Sequence, residues 1–359
     1  LCDTASRWSG TATGAGRTPT WVAASGGDTL LSTAVTETAV YVGGHFRWLN
    51  NPTGRDRARA GAIGRASIAA LDPATGLPYA WNPGRNPRGY GVTEMYPTEQ
   101  GLWLGYDTTY LGNFQYRRSR IGFFPLSGGS PVPGDAPAGL PGNVYLAGEG
   151  VAGDVRVRRY DGPEQVSGSR PVASSGGTDW RTARGGFWLG GTLFYGTVAG
   201  QLYRRSFDGE AWGPATVVDP YHDNDGVAPD WDLVSHGGGT YAGAYPDFYG
   251  AELASVTGMG YAGGRLYYTR AGSSALYWRW FTPSSGAVSA QRFLAASSGF
   301  GDVAGALFIV ADRLYVSRTD GALYRMSFSG GAPSGTQTAV SGPDVDGLSW
   351  RARAVFPGP

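Results

Sequence analysis

The chain has 359 residues, of which 60 are glycine and 23 are proline, yet 13% of its residues are aromatic and 41% are hydrophobic. That much buriable surface excludes a disordered chain, and the dense turn residues exclude a protein of long helices, so the composition predicts a folded all-β protein. The 29 basic residues, all arginine, balance 28 acidic ones, which excludes the strong positive field that binding to nucleic acid or an anionic membrane requires.

Short strands between turns are expected along the whole chain. The longest stretches without glycine or proline are residues 28–42 and 306–320, and each contains the alternation of apolar and polar residues that is typical of a strand. No apolar run approaches the length of a membrane span, so membrane insertion is not expected. Cys2 is the only cysteine, which excludes an internal disulfide.

A repeated pair of strands is the most informative feature of the sequence. In its three clearest copies, a strand centred on a leucine is followed by a second strand in which a leucine precedes a phenylalanine by five residues. We expect these phenylalanines, Phe207, Phe281 and Phe328, in the core between sheets. Weaker copies lie upstream, and the six anchors are Val40, Leu102, Val144, Leu193, Leu266 and Leu314. Units of four strands that repeat every ~40–50 residues are typical of a β-propeller.

The predicted architecture is a single β-propeller domain over residues 1–359, with seven four-stranded blades and the last blade shared by both termini. Residues 350–353 (Trp-Arg-Ala-Arg) resemble residues 180–184 (Trp-Arg-Thr-Ala-Arg), which open the fourth unit, so the C-terminus is expected to supply a first strand. Residues 2–8 and 18–22 would supply outer strands of the same blade and leave no large exposed sheet edge. A ring of six blades is the alternative.

The spacing of the repeats indicates an insertion between the fourth and fifth blades. Leu266 and Leu314 are 48 residues apart, whereas 73 residues separate Leu193 from Leu266. The extra residues fall at about 214–253. A loop of that length is disfavoured unless it packs or has a function. We therefore expect the ligand-binding face of the predicted propeller to be the one that carries this insertion.

The insertion contains the sharpest cluster of chemically active residues, with five aspartates and two of the three histidines within residues 219–236. Carboxylates hydrogen-bond sugar hydroxyls and aromatic rings stack on C–H surfaces, so the candidate contacts are Tyr221, His222, Asp223, Asp225, Trp231, Asp232 and Tyr245. Asp223 and Asp225 are the candidate ligands if Ca²⁺ orders the loop, although Val227 stands where an EF-hand needs its third ligand. The alternative is that these residues cap turns.

Further aromatic residues fit two interpretations. Tyr241, Phe248 and Tyr249 accompany Tyr245 in a stretch rich in glycine and proline, where they either stack on sugars or pack on one another as a lid. A weaker set of the same kind lies upstream and consists of Tyr106, Asp107, Tyr110, Asn113 and Tyr116.

No catalytic motif accompanies these clusters. Residues 258–263 (Gly-Met-Gly-Tyr-Ala-Gly) match the dinucleotide fingerprint in letters, but a strand and not a helix follows, so they indicate a turn. The sequence has no Gly-x-Ser-x-Gly, His-Glu-x-x-His or P-loop motif.

Four segments carry a resemblance to a known group of proteins: residues 40–48 (Val-Tyr-Val-Gly-Gly-His-Phe-Arg-Trp), 102–107 (Leu-Trp-Leu-Gly-Tyr-Asp), 218–221 (Val-Asp-Pro-Tyr) and 264–269 (Gly-Arg-Leu-Tyr-Tyr-Thr). The chain is similar to large secreted actinobacterial β-propeller proteins, which are often joined to PKD-like or carbohydrate-associated modules. The resemblance covers nearly the whole chain. It implies a propeller outside the cell and supplies no catalytic residues.

The functional hypothesis is an extracellular binding module with lectin-like recognition of a carbohydrate or another cell-surface ligand. Its partners would be carbohydrate or protein at the cell surface and other modules of a longer chain. One alternative is a polysaccharide hydrolase or lyase, which would need two carboxylates ~5–10 Å apart across a sugar. The other is a purely structural propeller in a larger secreted assembly, since the fold alone does not decide function.

Overall fold

The computed structural model describes residues 3–359 except 87–88, 113, 128, 130, 150–153, 162–166, 173, 222–234, 237–238 and 241–247. Its regular structure is almost entirely β-strand. The described part contains one four-residue helix, α1 (Ala251–Ala254), and one 3-10 turn, Trp180–Thr182. The prediction of an all-β protein is confirmed. None of the described helices has the length and apolar character needed to cross a membrane.

The strands follow one another in chain order. The first group is β1 (Thr4–Arg7), β2 (Trp21–Ala24), β3 (Leu30–Val35), β4 (Val40–Gly44), β5 (Trp48–Leu49), β6 (Ile63–Gly64), β7 (Ile68–Leu71), β8 (Arg85–Asn86), β9 (Val92–Thr98), β10 (Gly101–Tyr106), β11 (Tyr110–Leu111), β12 (Tyr116–Arg117) and β13 (Ile121–Pro125). The second is β14 (Gly142–Ala147), β15 (Val155–Tyr160), β16 (Arg170–Pro171), β17 (Ala183–Leu189), β18 (Thr192–Thr197), β19 (Leu202–Ser206), β20 (Thr216–Val217), β21 (Ser235–His236) and β22 (Gly239–Thr240). The third is β23 (Val256–Ala262), β24 (Arg265–Arg270), β25 (Leu276–Thr282), β26 (Ala287–Val288), β27 (Phe293–Ala296), β28 (Val303–Val310), β29 (Arg313–Arg318), β30 (Leu323–Ser329), β31 (Ala332–Ser341) and β32 (Ala354–Gly358).

The chain forms two compact units. Unit 1 comprises Leu1–Pro133, Asp219–Asp247 and Trp280–Ala290. Unit 2 comprises Gly134–Val218, Phe248–Arg279 and Gln291–Pro359.

Two of the three-stranded antiparallel sheets described in unit 1 are β3-β4-β7 and β9-β10-β13. Side chains alternate between the two faces of each strand, and in β10 the buried Leu102 and Leu104 flank Trp103, which is 43% exposed. The two leucines share an apolar cluster with Ala34 and Ile68 of the other sheet. One face of β9-β10-β13 is therefore core, and its other face, which carries Trp103, points away from that core.

Unit 2 contains the four-stranded sheet β17-β18-β19-β20 and most of a thirteen-stranded sheet. Single parallel bridges between first strands divide the latter into the groups β23-β24-β25-β27, β28-β29-β30-β31 and β32-β14-β15-β16, and all four sets of strands are called sheets here. Their first strands contact one another in cyclic order, β17 with β23, β23 with β28, β28 with β32, and β32 with β17. Glycine allows this approach. A methyl group on Gly260 of β23 would lie 2.3 Å from the carbonyl oxygen of Leu307 on β28.

Each of the six predicted repeats corresponds to one group of neighbouring strands, with three strands in the two groups of unit 1 and four in those of unit 2. The anchors Val40, Leu102, Val144, Leu193, Leu266 and Leu314 all lie in the second strand of their sheets, namely β4, β10, β14, β18, β24 and β29. The predicted core phenylalanines are buried as well. Two of them pack edge-to-face on tyrosines of neighbouring sheets, Phe207 on Tyr145 at 4.8 Å between ring centroids and Phe328 on Tyr267 at 5.2 Å.

The N-terminal and C-terminal strands belong to different sheets, whereas the sequence predicts that both termini share one blade. As predicted, β32 is a first strand, and Trp180 and Trp350, both fully buried, precede β17 and β32. However, β32 pairs with β14, whereas β1 pairs with β2.

Burial explains this pairing. Val355 and Phe356 are both 0% exposed and belong to two different apolar clusters, so β32 needs apolar neighbours on both faces. Strand β1 reads Thr-Ala-Ser-Arg and is mostly exposed, so it cannot supply them.

Candidate functional site

Of the predicted contact residues, only Tyr221 is described by the structure. Its ring is 1% exposed, and its backbone N–H donates to the carboxylate of Asp219 at 3.0 Å, which forms an Asx turn. The Tyr221 ring is therefore placed for packing and not for contact with a ligand. The other predicted contacts, His222, Asp223, Asp225, Trp231, Asp232 and Tyr245, lie outside the described residues, as do the two candidate calcium ligands among them. Within the described part, no three His, Cys, Asp or Glu side chains are grouped so that they could hold a metal ion.

The described aromatic residues beside this loop belong to the core. Phe248 and Tyr249 are 0% and 1% exposed, and Phe248 packs edge-to-face on Tyr268 with 5.1 Å between centroids. In the weaker upstream set, Tyr106 is buried, and the Asp107 carboxylate accepts from two backbone N–H groups, which is turn capping. These residues fit the self-packing and capping interpretations, whereas Tyr116 of the same set is 55% exposed and Asn113 lies outside the described residues.

Three aromatic side chains lie side by side on the outward face of β9-β10-β13. Trp103 on β10 is directly opposite Tyr96 on β9 and Phe123 on β13. Directly opposed residues of antiparallel strands share a face, so the three rings form a line across the sheet, which we call the aromatic row. Tyr96 is 69% exposed, Trp103 is 43% exposed and Phe123 is half-buried. An exposed aromatic cluster of this kind marks an interaction surface more often than a single exposed ring does.

Glycines on both sides of Trp103 shape the aromatic row. Gly101 and Gly105 occupy the neighbouring positions of β10 on the same face, so no side chain of this strand covers the indole. A methyl group on Gly101 would lie 2.8 Å from the tip of the Phe123 ring, which shows that this ring reaches over the glycine. The Trp103 and Phe123 rings contact each other at 4.7 Å between centroids with their planes 37° apart. This contact holds the Trp103 and Phe123 rings together before any ligand arrives.

Polar groups border the row. Glu94 is opposite Gly105 and exposed, and Thr98 is opposite Gly101. Pro125 and Ile121 occupy the corresponding positions of β13. Among these nine facing positions there is one carboxylate and no basic residue, so the face is apolar at its centre and offers hydrogen-bonding groups at its edge. It suits an uncharged ligand that combines C–H surfaces with hydroxyls.

A small cavity lies where the first strands of unit 2 meet. Phe187, Tyr261, Phe308 and Phe356 line it, each from a different first strand, and Pro137 closes part of it. The Tyr261 hydroxyl in this lining donates to Asp135 at 3.4 Å, and the indole N–H of Trp188 donates to the Phe207 carbonyl at 3.0 Å. The lining offers a polar ligand few hydrogen bonds, so this cavity is part of the core.

A cluster of charged residues surrounds Glu252 in unit 2. One carboxylate oxygen accepts from the Tyr268 hydroxyl at 2.8 Å, and the other accepts from Arg279 at 2.9 Å. Arg292 at 3.1 Å and Arg270 at 3.4 Å contact the first oxygen as well. Burial raises the pKa of Glu252, but the attraction of Arg279 and the hydrogen bonds from Tyr268 and Arg292 outweigh it and hold the pKa below its ordinary value of 4.5.

This cluster predicts a pH dependence of stability. Because the folded-state pKa of Glu252 is lowered, its ionised form stabilises the fold fully above pH 4.5, and this contribution is lost as the pH falls through the folded-state value. We expect Glu252→Gln to lower the free energy of unfolding by about 3 kcal/mol at pH 7, since it removes the partner of the buried Arg279. Urea unfolding should show that this difference shrinks as the pH falls below 4.5. A difference that does not change with pH would contradict the assignment.

Sequence reasoning missed the aromatic row, although a signal was present. The segment Gly-Leu-Trp-Leu-Gly at residues 101–105 predicts a strand in which Trp103 faces away from two leucines. An aromatic residue at the outward position of a half-buried strand is a candidate contact. The opposition of Tyr96 and Phe123 could not be predicted, because it depends on the strand register.

Comparisons with known proteins give no family. No protein-family model and no curated protein matches the chain. Among solved structures, a chain of the nidogen–laminin complex is similar with a TM-score of 0.30 and 11% identity, covering 73% of this chain and 96% of that one. PorZ, an essential bacterial surface component of the type-IX secretion system of Porphyromonas gingivalis, has a TM-score of 0.28 and 16% identity, covering 87% of this chain and 34% of that one. BamB from Moraxella catarrhalis has a TM-score of 0.22 and 12% identity, covering 86% of this chain and 85% of that one. TM-scores this low support no functional conclusion.

Proposed function

We propose that the protein is a carbohydrate-binding module that stacks an uncharged sugar chain on the aromatic row of unit 1. The observation that carries the proposal is the line of Tyr96, Trp103 and Phe123 across an exposed sheet face, with glycine on both sides of Trp103. Neighbouring strands are ~4.8 Å apart, so three rings span about 10 Å, enough for a short stretch of polysaccharide. Ring faces would contact the C–H surface of the sugars, and Glu94, Thr98 and the Tyr96 hydroxyl would accept or donate hydrogen bonds.

The size of the row favours a sugar over a protein partner. An aromatic side chain buries at most ~250 Å², and the three rings here are already partly covered. A stable protein–protein interface buries about 800 Å² on each partner. The row alone is too small for such an interface and has the dimensions of a subsite for a few sugar rings.

The surroundings of the row favour binding without turnover. Hydrolysis of a glycosidic bond generally uses two carboxyl groups ~5–10 Å apart, on either side of the bond. Glu94 is the one carboxylate among the nine facing positions of this sheet. The hydrolase and the structural scaffold predicted as alternatives are kept as outcomes of the experiment below.

Three further expectations from the sequence belong to the same proposal. The first is that the sheets are blades of a seven-bladed β-propeller domain, for which the six sequence repeats, each of which corresponds to one group of neighbouring strands, give support. The second is a contact surface in the loop around Asp223 and Trp231, which stays a prediction. The third is a location outside the cell, which the resemblance implies.

A glycan array followed by incubation with any bound polysaccharide tests the proposal. We expect binding to an uncharged polysaccharide without release of shorter products, because the row supplies stacking but no pair of acids. Release of products would support the enzyme instead. Absence of binding to every glycan would favour the scaffold and contradict the proposal.

A further inference from the structure

Two arginines of unit 2, Arg270 and Arg292, are held side by side on one carboxylate within the part of the chain that the structure describes. Arg270 and Arg292 each make one ion pair, and both pairs go to the same oxygen of Glu252. That carboxylate also binds Arg279 through its other oxygen. Among the described residues, Arg270 and Arg292 therefore share one carboxylate oxygen as their ion-pair partner.

The aromatic ring of Tyr277 fixes the positions of both arginines. The Arg292 guanidinium carbon lies 4.6 Å from the centroid of this ring, and the Arg270 carbon lies 5.8 Å from it. Tyr277 itself stacks on Tyr268 at 5.7 Å, and its hydroxyl lies 2.9 Å from that of Ser273. Cation–π contacts of this kind hold a guanidinium in one place, so the two cations are positioned without a bound ligand.

Both side chains keep unused hydrogen-bond donors. A guanidinium carries five N–H donors, and the described contacts of Arg270 and Arg292 use one nitrogen of each. The Nε of Arg270 is buried and has no hydrogen-bond partner in the described structure. Arg292 is 40% exposed and Arg270 is 31% exposed, so an incoming group can reach them.

We propose that Arg270 and Arg292 form a binding site for an oxyanion of a ligand, a carboxylate or a sulfate ester carried on a sugar chain. Two positioned cations beside one neutralised carboxylate repel each other, and an added anion relieves that repulsion while it accepts charge-assisted hydrogen bonds. Planar guanidinium groups match the geometry of carboxylate and sulfate oxygens. This site is distinct from the aromatic row and takes a ligand of different charge, so it goes beyond the proposed function.

The test compares three polymers and two matched variants. Dextran sulfate, polygalacturonate and uncharged dextran are titrated against the full chain at low and high salt. We expect one or both anionic polymers to bind, with weaker binding at high salt, and dextran not to compete at this site. Binding of dextran sulfate alone identifies a sulfate ester as the ligand group, and binding of polygalacturonate alone identifies a carboxylate.

Arg292→Gln should weaken that binding at least ~10-fold, since it removes a charge-assisted hydrogen bond as well as a charge. The control is Arg313→Gln, which removes the same charge from a side chain that is 41% exposed and also paired with one carboxylate. It should change affinity less than about 2-fold, as expected for a distant screened charge. Arg292→Lys, which keeps the charge without the planar fork, should give an intermediate affinity.

Two results would overturn the inference. One is that neither anionic polymer binds. The other is that Arg292→Gln and Arg313→Gln have equal effects, which would show that only net charge matters. Binding of the uncharged polysaccharide that the array identifies is measured separately from binding of the anionic polymers, so failure of the aromatic row and failure at this site are separate outcomes.

Discussion

Replacing Trp103 by alanine is expected to weaken binding of the array-positive polysaccharide at least ~30-fold, the effect of losing an interface hot spot worth about 2 kcal/mol. The indole lies at the centre of the aromatic row, between Tyr96 and Phe123, and contacts Phe123 directly. Because 43% of its surface is exposed and it lies on the face away from the core, its removal should cost the fold little. Affinity electrophoresis in gels that contain the polysaccharide measures the change.

Trp8→Ala is the matched control for this variant. Trp8 is also in unit 1 and 51% exposed, and its ring N–H donates to the Ser6 hydroxyl at 2.9 Å. The Trp8→Ala variant should bind the polysaccharide with the same affinity as the original chain. Unfolding of Trp103→Ala in thermal melts, or equal loss of binding in both variants, would contradict a specific role for the row.

Replacing Phe356 by alanine is expected to lower the free energy of unfolding by about 3–5 kcal/mol, the usual cost of truncating a fully buried phenylalanine. Phe356 is 0% exposed in β32, where it stacks on Tyr145 of β14 with 5.6 Å between centroids. The loss of this ring removes a side-chain contact between β32 and β14 and leaves a cavity in the core. Urea unfolding followed by near-ultraviolet circular dichroism measures the change.

The control for Phe356→Ala is Val22→Ala, which shortens an exposed side chain on β2. Val22 is 52% exposed, so this substitution should change the free energy of unfolding by less than ~0.5 kcal/mol. If both variants had the same stability as the original chain, β32 would not be a core strand of unit 2.

The repeat was predictable from the sequence because its leucines mark the buried second strands. Leu193, Leu266 and Leu314 are each 0% exposed. Because side chains alternate between the two faces of a strand, a leucine at the buried position recurs in the sequence pattern of each copy. The Trp-Arg similarity of residues 180–181 and 350–351 also predicted correctly that the C-terminus supplies a first strand.

The partner of that strand was not predictable. The local sequence indicates which residues of β32 are buried. It does not indicate which second strand pairs with β32, because any apolar second strand could supply the neighbours that β32 needs. The choice of β14 over β2 depends on contacts of high sequence separation, such as Val144 with Pro357. Propensity and periodicity contain no information about such pairs.

In the candidate sites too, local features were predictable from the sequence and long-range contacts were not. The outward position of Trp103 follows from the alternation of residues 101–106, whereas its alignment with Tyr96 and Phe123 depends on the register of three strands. The arginine site depends on even longer contacts, because α1 brings Glu252 to residues of β24 and β25. Among the loop residues chosen from composition, Tyr221 is buried, and composition alone does not distinguish a buried ring from an exposed one.

The most direct test of the account is a crystal structure of the protein soaked with an oligosaccharide of the polysaccharide that the array identifies. The account predicts a sugar ring stacked on the Trp103 indole, with neighbouring sugars over Tyr96 or Phe123 and a hydroxyl near Glu94. An oligosaccharide bound at any other place, with the aromatic row uncovered, would contradict it.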